Sequence, residues 1–230
     1  RAQRRAAELR GEGYRYQKWF LAYGPGDGPE GMRKNVEIVR LLREAVGEAT
    51  ELMFDVYSGW NLPYTLEWAH QVEKFRPRWI EEMTQAEKID AFAELRRGTA
   101  IPVASGEHIQ GRWEVYDYLK AGALSVVQCD PEWCGGISEL VKICTLASLF
   151  DVPVIPHGHS LHAAMHVIAS QSPAVCPLAE NLILKMQSYY HFEKNPPEVK
   201  QAHLALPDTP GFGIELDEAK VESRQPLHWS

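Results

Sequence analysis

Three short apolar runs between residues 51 and 107 each lead to a carboxylate. They are Glu51-Leu52-Met53-Phe54-Asp55, Arg78-Trp79-Ile80-Glu81, and Ile101-Pro102-Val103-Ala104 followed by Ser105-Gly106-Glu107. Such runs, bounded by turn residues, read as buried strands. The stretches between them read as helices. Leu62–Phe75 opens on the start signal Asn61-Leu62-Pro63, and Thr84-x-x-Glu87 is a capping box ahead of a helix that runs to Arg97. The whole stretch therefore reads strand, helix, strand, helix, strand, with an acidic residue delivered at the end of each strand.

The same alternation extends outward in both directions. Upstream, Tyr14–Phe20 reads as a strand and Gly31–Val46 as a helix with Val36, Val39, Leu42 and Val46 near one face. Downstream come a helix at Arg112–Ala121, a strand at Leu124–Cys129, a helix at Ile137–Phe150, a strand at Val152–Pro156 and a helix at Leu161–Ser170. A weaker last strand follows at Ala174–Leu178. Six strand–helix units and a further strand point to a parallel α/β fold.

A doubly wound sheet and a closed barrel share this local pattern, so the polar residues must decide. Lys18, Asp55, Glu81, Glu107, Asp130 and His157 all fall at strand ends, the distribution expected when many strands share one site at the mouth of a barrel. A doubly wound fold more often carries a glycine-rich phosphate loop after its first strand, and no GxGxxG is present. Gly24-Pro25-Gly26-Asp27-Gly28 is interrupted by proline and reads as an ordered loop. The expected architecture is a parallel (β/α)8-type barrel over residues 1–188, with a proline-rich irregular segment at 189–230 wrapping its outside. The chain opens inside a helix (Ala6–Arg10) and shows seven strands, so the barrel is expected to be incomplete at its N-terminus.

Composition narrows the function. A formal charge of −7 and the lack of a basic run argue against a nucleic-acid or anionic-membrane partner. An anionic substrate stays open, because a bound divalent ion reverses the local field. No stretch approaches the roughly 20 apolar residues of a membrane span, and Arg1–Arg10 lacks a signal-peptide core. Cys129, Cys134, Cys144 and Cys176 match neither CxxC nor a paired zinc pattern, and they read as reduced thiols in a cytoplasmic protein.

Asp55, Glu81 and Glu107 recur at equal intervals of 26 residues, one strand–helix unit apart. Adjacent strands would bring the three carboxylates to one point, a hard oxygen donor set that suits Mg²⁺. Acidic residues also cap helices after strands, which is the competing explanation for each one singly. Asp130 follows 23 residues later and His157 another 27, again at strand ends. A carboxylate beside an imidazole fixes its tautomer and raises its basicity, so the pair suits proton abstraction. Taken alone, His157 reads as a hydrogen-bonded strand-end histidine rather than a base. His162 and His166, four apart on a helix, form a rival zinc pair, but the glutamate of HExxH is missing.

The ordered set resembles the mandelate racemase branch of the enolase superfamily. The matching segments are Trp79-Ile80-Glu81-Glu82, Ser105-Gly106-Glu107-His108, Gln128-Cys129-Asp130 with Gly135-Gly136, Pro156-His157-Gly158, and Pro210-Gly211-Phe212-Gly213-Ile214-Glu215-Leu216. Within that branch the sequence is most similar to the L-rhamnonate dehydratases, which share the Gly24-Pro25-x-Asp27-Gly28 loop and Trp133-Cys134-Gly135-Gly136. The resemblance implies a modified (β/α)7β barrel, Mg²⁺ on Asp55, Glu81 and Glu107, and His157 with Asp130 as general base. It implies Lys18, His108 and Glu180 as residues facing the substrate, a small-molecule sugar acid, in a homo-oligomer. It also implies an N-terminal α+β capping domain and a first barrel strand, both absent from this sequence. One departure matters. Racemases of the branch carry Lys-x-Lys after the second strand, whereas this chain has Lys18-Trp19-Phe20, and phenylalanine takes no proton. The expected activity is therefore dehydration of an aldonate to a 2-keto-3-deoxy acid. A racemase or epimerase, or a silent barrel that only binds acid sugars, is the alternative.

Overall fold

The computed structural model describes residues 1–226. Its central sheet comprises β1 (Tyr16–Phe20), β2 (Glu51–Asp55), β3 (Trp79–Glu81), β4 (Val103–Ser105) and β5 (Val126–Val127), all parallel and in sequential order. Sequential order without reversal is that of a barrel wall, since a doubly wound sheet reverses direction at a switch point. The sheet does not close among the described residues. Beyond β5 the wall continues as one parallel bridge, Val127 to Val154, and a 2.8 Å hydrogen bond from Val154 N to Val175 O. The strands expected at Val152–Pro156 and Ala174–Leu178 are reduced to these contacts and a 3.3 Å bond from His157 N to Gln128 O. Pro153 and Pro156 in the first, and Pro173 and Pro177 around the second, offer no N–H to a ladder.

Helices cover the outside of the sheet: α1 (Ala2–Gly11), α2 (Gly28–Val46), α3 (Leu62–Val72), α4 (Ile89–Gly98), α5 (Gly111–Lys120), the short α6 (Pro131–Cys134), α7 (Ile137–Ser148) and α8 (Leu161–Ser170). None of the described helices is long and apolar enough to cross a membrane. Helix α2 starts three residues earlier than its apolar periodicity indicates, because Pro29 supplies a preset first turn. The capping box expected at Thr84 does not form. Helix α4 begins only at Ile89, without a side-chain cap, and Thr84 bonds Gln85 instead. The backbone here is committed to the core: Met83 is fully buried and its carbonyl accepts from Trp60 N at 3.1 Å. After α8 the chain runs through α9 (Met186–Tyr189) into an antiparallel pair, β6 (Val199–Lys200) and β7 (His203–Leu204). The last four residues of the segment expected at 189–230 lie outside the described residues.

Two cores result from the strand period of two. Outward-facing residues such as Phe54, Ile80, Val103 and Val127 pack under the helices, with Trp68 and Phe92 among the buried aromatics. Inward-facing Met53, Trp79, Ala104, Val126 and Ile155, with Leu178 against them, form a separate apolar floor. Two residues further along each of these runs come Asp55, Glu81, Gly106, Gln128, His157 and Glu180. The pleat thus stacks a largely polar layer on an apolar one, and that alternation sets Asp55, Glu81, His157 and Glu180.

Arg43, near the C-terminus of α2, ties two connections together. Its guanidinium donates to the carbonyls of Gly47 (2.8 Å), Thr50 (2.6 Å), Phe75 (3.0 Å) and Arg76 (3.2 Å) from a buried position. These fix the turn from α2 to β2 and the turn before β3. Arg43→Met keeps the stem but orphans the carbonyls, so we expect a loss of roughly 2–4 kcal/mol in urea unfolding. A loss below ~0.5 kcal/mol would show that the turns hold without it.

Candidate active site

The polar layer is organised around Lys18, which reaches inward from β1. Its ammonium lies 2.6 Å from Glu81 Oε1, 2.7 Å from Glu180 Oε1 and 3.3 Å from Asp55 Oδ2. Asp55 Oδ1 accepts from Tyr57 N at 2.9 Å, and Glu81 Oε2 accepts from Trp79 Nε1 at 3.0 Å. Asp55, Glu81 and Glu107 each offer a carboxylate oxygen, and the three oxygens lie within 4.8 Å of one another. The equal spacing in sequence thus corresponds to convergence in space.

Burial of so many like charges has a visible cost. Burial, with Glu81 beside it, pushes Asp55 up to about 8. Burial likewise raises Glu180, against the pull of Lys18. Burial also opposes ionisation of Glu81, but its charge and hydrogen-bond contacts with Lys18 prevail and hold it below the usual range. Burial works against the charge on Lys18 too, yet Glu180, Glu81 and Asp55 together hold it well above its ordinary value. One ammonium is not enough for this cluster, and part of it stays protonated near neutrality. Three hard oxygens with an unmet demand for positive charge are the chemistry of a Mg²⁺ site, so the residues fit that ion.

His157 stands beside the cluster. Its Nδ1 is 3.3 Å from Asp130 Oδ2 and its Nε2 is 3.3 Å from Glu107 Oε2. The contact with Asp130 is longer than the 2.7–2.9 Å expected of a charge-assisted bond. The reason is sharing, since Asp130 Oδ2 also accepts from His159 N and Ser160 N, both at 3.1 Å. Asp130 is fully buried and caps α6 through Oδ1 and Glu132 N at 2.8 Å. Burial alone would lower the imidazole, but the bond to Asp130 and the charges of Glu180 and Glu107 raise it. Gly158 allows this crowding: a Cβ there would come within 2.6 Å of Glu180 O.

His108 lies to one side. Its Nδ1 pairs with Glu82 Oε1 at 2.7 Å and is 3.9 Å from Glu107 Oε1, and its ring stands edge-on to Tyr57 and Trp133. Glu82 is the residue that sequence reading missed as a site member. Strand alternation would turn it away from Glu81, but it sits at φ +47°, in the left-handed region, and buries its carboxyl against His108. Burial, then the charge of Glu107, raise it to about 7. Two adjacent glutamates at a strand end were the only available signal. The rival zinc pair does not assemble. His162 Nε2 lies against Glu193 at 2.9–3.0 Å, and His166 Nδ1 donates to His162 O at 2.7 Å. Among the described residues, neither belongs to a group of three or more possible metal ligands.

A sequential parallel α/β wall of the TIM-barrel kind thus carries a carboxylate cluster and a histidine–aspartate pair at its strand ends, an arrangement that suits metal-assisted acid–base chemistry. Residues 1–220 match the Enolase C-terminal domain-like family, and the chain belongs to it. It is 33% identical over 217 residues to an L-rhamnonate dehydratase of Saccharopolyspora erythraea, an alignment covering 91% of this chain and 55% of that protein. It is 32% identical over 233 aligned positions to a D-galactarolactone cycloisomerase of Agrobacterium fabrum, covering 96% and 59% respectively. The crystal structure of L-rhamnonate dehydratase from Gibberella zeae superposes with a TM-score of 0.85 at 30% identity, over 95% of this chain and 57% of that one. The chain thus spans little more than half the length of these relatives.

The raised carboxyl of Asp55 makes metal binding proton-linked. Below about 8 it carries a proton that a divalent ion must displace. Calorimetry of Mg²⁺ binding at pH 7, in two buffers of different ionisation enthalpy, should show proton release. Affinity should weaken as pH falls, by up to about tenfold per unit for one proton. Glu81→Gln should abolish the Mg²⁺-induced rise in melting temperature. Proton-neutral binding, or an unaltered response in the variant, would contradict this arrangement.

Proposed function

We propose that this chain is the catalytic barrel of a Mg²⁺-dependent acid-sugar dehydratase, a lyase acting on an aldonate of the L-rhamnonate type. The observation that carries the reading is the placement of His157 between Asp130 and Glu107, so that one imidazole touches both a buried orienting carboxylate and the metal-fitting cluster. The named L-rhamnonate dehydratase relatives support the choice of substrate class.

Asp55, Glu81 and Glu107 would hold the ion. When bound, Mg²⁺ supplies the positive charge that stabilises an enediolate as it develops on the substrate carboxylate. Asp130 accepts a hydrogen bond from Nδ1–H of His157 and so leaves the lone pair on Nε2, toward the cluster. Nε2 takes the C2 proton, and the electrons of the broken C–H bond move into the C1 carboxylate. The C3–O bond then breaks, and the protonated His157 returns its proton to the departing hydroxide, releasing water. The resulting enol tautomerises to the 2-keto-3-deoxy acid. Lys18 compensates Glu81 and Glu180 and lies within reach of an anionic substrate. We assign His108, held by Glu82, and Glu180 to substrate contacts at the edge of the cluster.

Phe20 argues against a racemase. It is two residues beyond Lys18 on β1, in register with Asp55, and it is largely exposed at the mouth. A phenyl ring there leaves the face opposite His157 without a base at that position. The cycloisomerase relative makes a lactone-type substrate the second reading, to be separated by a substrate screen. A silent binder is disfavoured because the base pair and the metal-fitting cluster are in mutual contact. The setting we propose is the cytoplasm, consistent with four free thiols, and the assembly a homo-oligomer.

The test is ¹H NMR of an aldonate library in D₂O with Mg²⁺. We expect C2 exchange and dehydration for one C2 configuration only. His157→Asn should lose both, by at least about 10²–10⁴-fold, while keeping its Mg²⁺-dependent melting shift. Interconversion of C2 epimers by the wild type would replace the dehydratase reading with a racemase.

A further inference from the structure

We propose that Cys144 and Cys176 are a modification site, closing to a reversible disulfide when the protein meets a hydroperoxide. Their sulfur atoms lie 3.6 Å apart, one on α7 and the other six residues beyond α8. Closure to a disulfide length of about 2.05 Å requires an approach of roughly 1.5 Å. No third ligand makes this a metal site, because among the described residues no group of three or more possible ligands contains a cysteine.

Both thiols are buried, yet Cys176 lies just beneath the surface. Ser172, Pro173 and Ala174 before it and Pro177 after it are exposed, so a small opening of this turn admits an oxidant of peroxide size. The two thiols are not equivalent. The contact between them lowers Cys176, and the same contact, with burial, raises Cys144. Cys176, flanked by the exposed turn, is the thiol that an oxidant reaches first, and it is the attacking thiolate. It displaces hydroxide from the peroxide and becomes a sulfenic acid. Cys144 then attacks that sulfur, the S–S bond forms, and water leaves. Two thiols and one hydrogen peroxide give one disulfide and two waters, so atoms and electrons balance.

The crosslink would enclose residues 144 to 176, a loop holding His157 and the whole of α8. It fixes the end of the wall where Val154 N bonds Val175 O, four or five residues before Glu180. Cys176 is the middle residue of the last run, Ala174–Leu178, and packs in the outer core, whereas Glu180 lies two residues beyond its end, so the staple acts on stability and leaves the carboxylate cluster in place.

The experiment treats the full chain with hydrogen peroxide, denatures it, alkylates it with N-ethylmaleimide and weighs it intact. Two adducts should replace four, with a Cys144–Cys176 peptide pair after digestion and recovery of four adducts after dithiothreitol. The melting temperature should rise by roughly 5–10 °C on oxidation, with Mg²⁺ binding unchanged. Cys176→Ser should keep three adducts after peroxide and show no rise. Retention of four adducts, a crosslink through Cys129 or Cys134, or irreversible addition of oxygen at Cys176 would each overturn the proposal.

Discussion

Carboxylates from successive strands converge around one ammonium at the mouth of an otherwise apolar wall, and the rest of the site follows from the electrostatics of that crowd. Two full charges about 5 Å apart repel by roughly 3 kcal/mol at an effective dielectric of 20. Lys18 relieves Glu81 and Glu180 directly and Asp55 less closely. The remaining strain appears as the raised carboxyls of Asp55, Glu82 and Glu180. Such a layer calls for a further source of positive charge, and the three converging carboxylate oxygens fit a divalent ion.

The backbone is shaped to keep that crowd together. Gly106 sits at φ +146°, and a Cβ on it would come within 2.6 Å of Gln128 N. Gly158 yields in the same way to Glu180, so β4, β5 and the run carrying His157 approach closely enough for Glu107 and His157 to meet. Beneath them Met53, Trp79, Ala104, Val126 and Ile155 exclude water from the floor. Trp79 serves both layers, packing in the floor while its indole N–H steadies Glu81. The cysteine pair belongs to the outer core under the helices and not to the polar layer.

Much of this was legible in the residues themselves. Apolar runs ending in Asp55 and Glu81, one strand–helix unit apart, contain both the parallel wall and the convergence of the carboxylates. Position in a repeating unit sets position around the wall, so Asp130 and His157 could be paired from spacing as well. Other features depend on backbone conformations that residue type does not announce. Glu82 joins the site only through a left-handed residue in a non-glycine position. Thr84 and Glu87 have the right spacing for a capping box, but the core requirement of Met83 delays the helix. Prolines at 153 and 156 reduce an apolar run to a single bridge, a balance between burial and hydrogen bonding that local pattern leaves open. Asp130 also caps a four-residue helix that lies below the length at which periodicity can be read.

In the proposed site Asp55, Glu81 and Glu107 together hold one divalent ion. Glu82, Glu107 and His108 form the only other cluster with suitable spacing among the described residues, and the two share Glu107. Anomalous diffraction from crystals grown with Mn²⁺ separates them directly. The account predicts one strong peak at about 2.0–2.6 Å from an oxygen of each of Asp55, Glu81 and Glu107, with the ammonium of Lys18 displaced toward Glu180. A peak held by Glu82 and His108, or no peak within reach of Asp55 and Glu81, would contradict it.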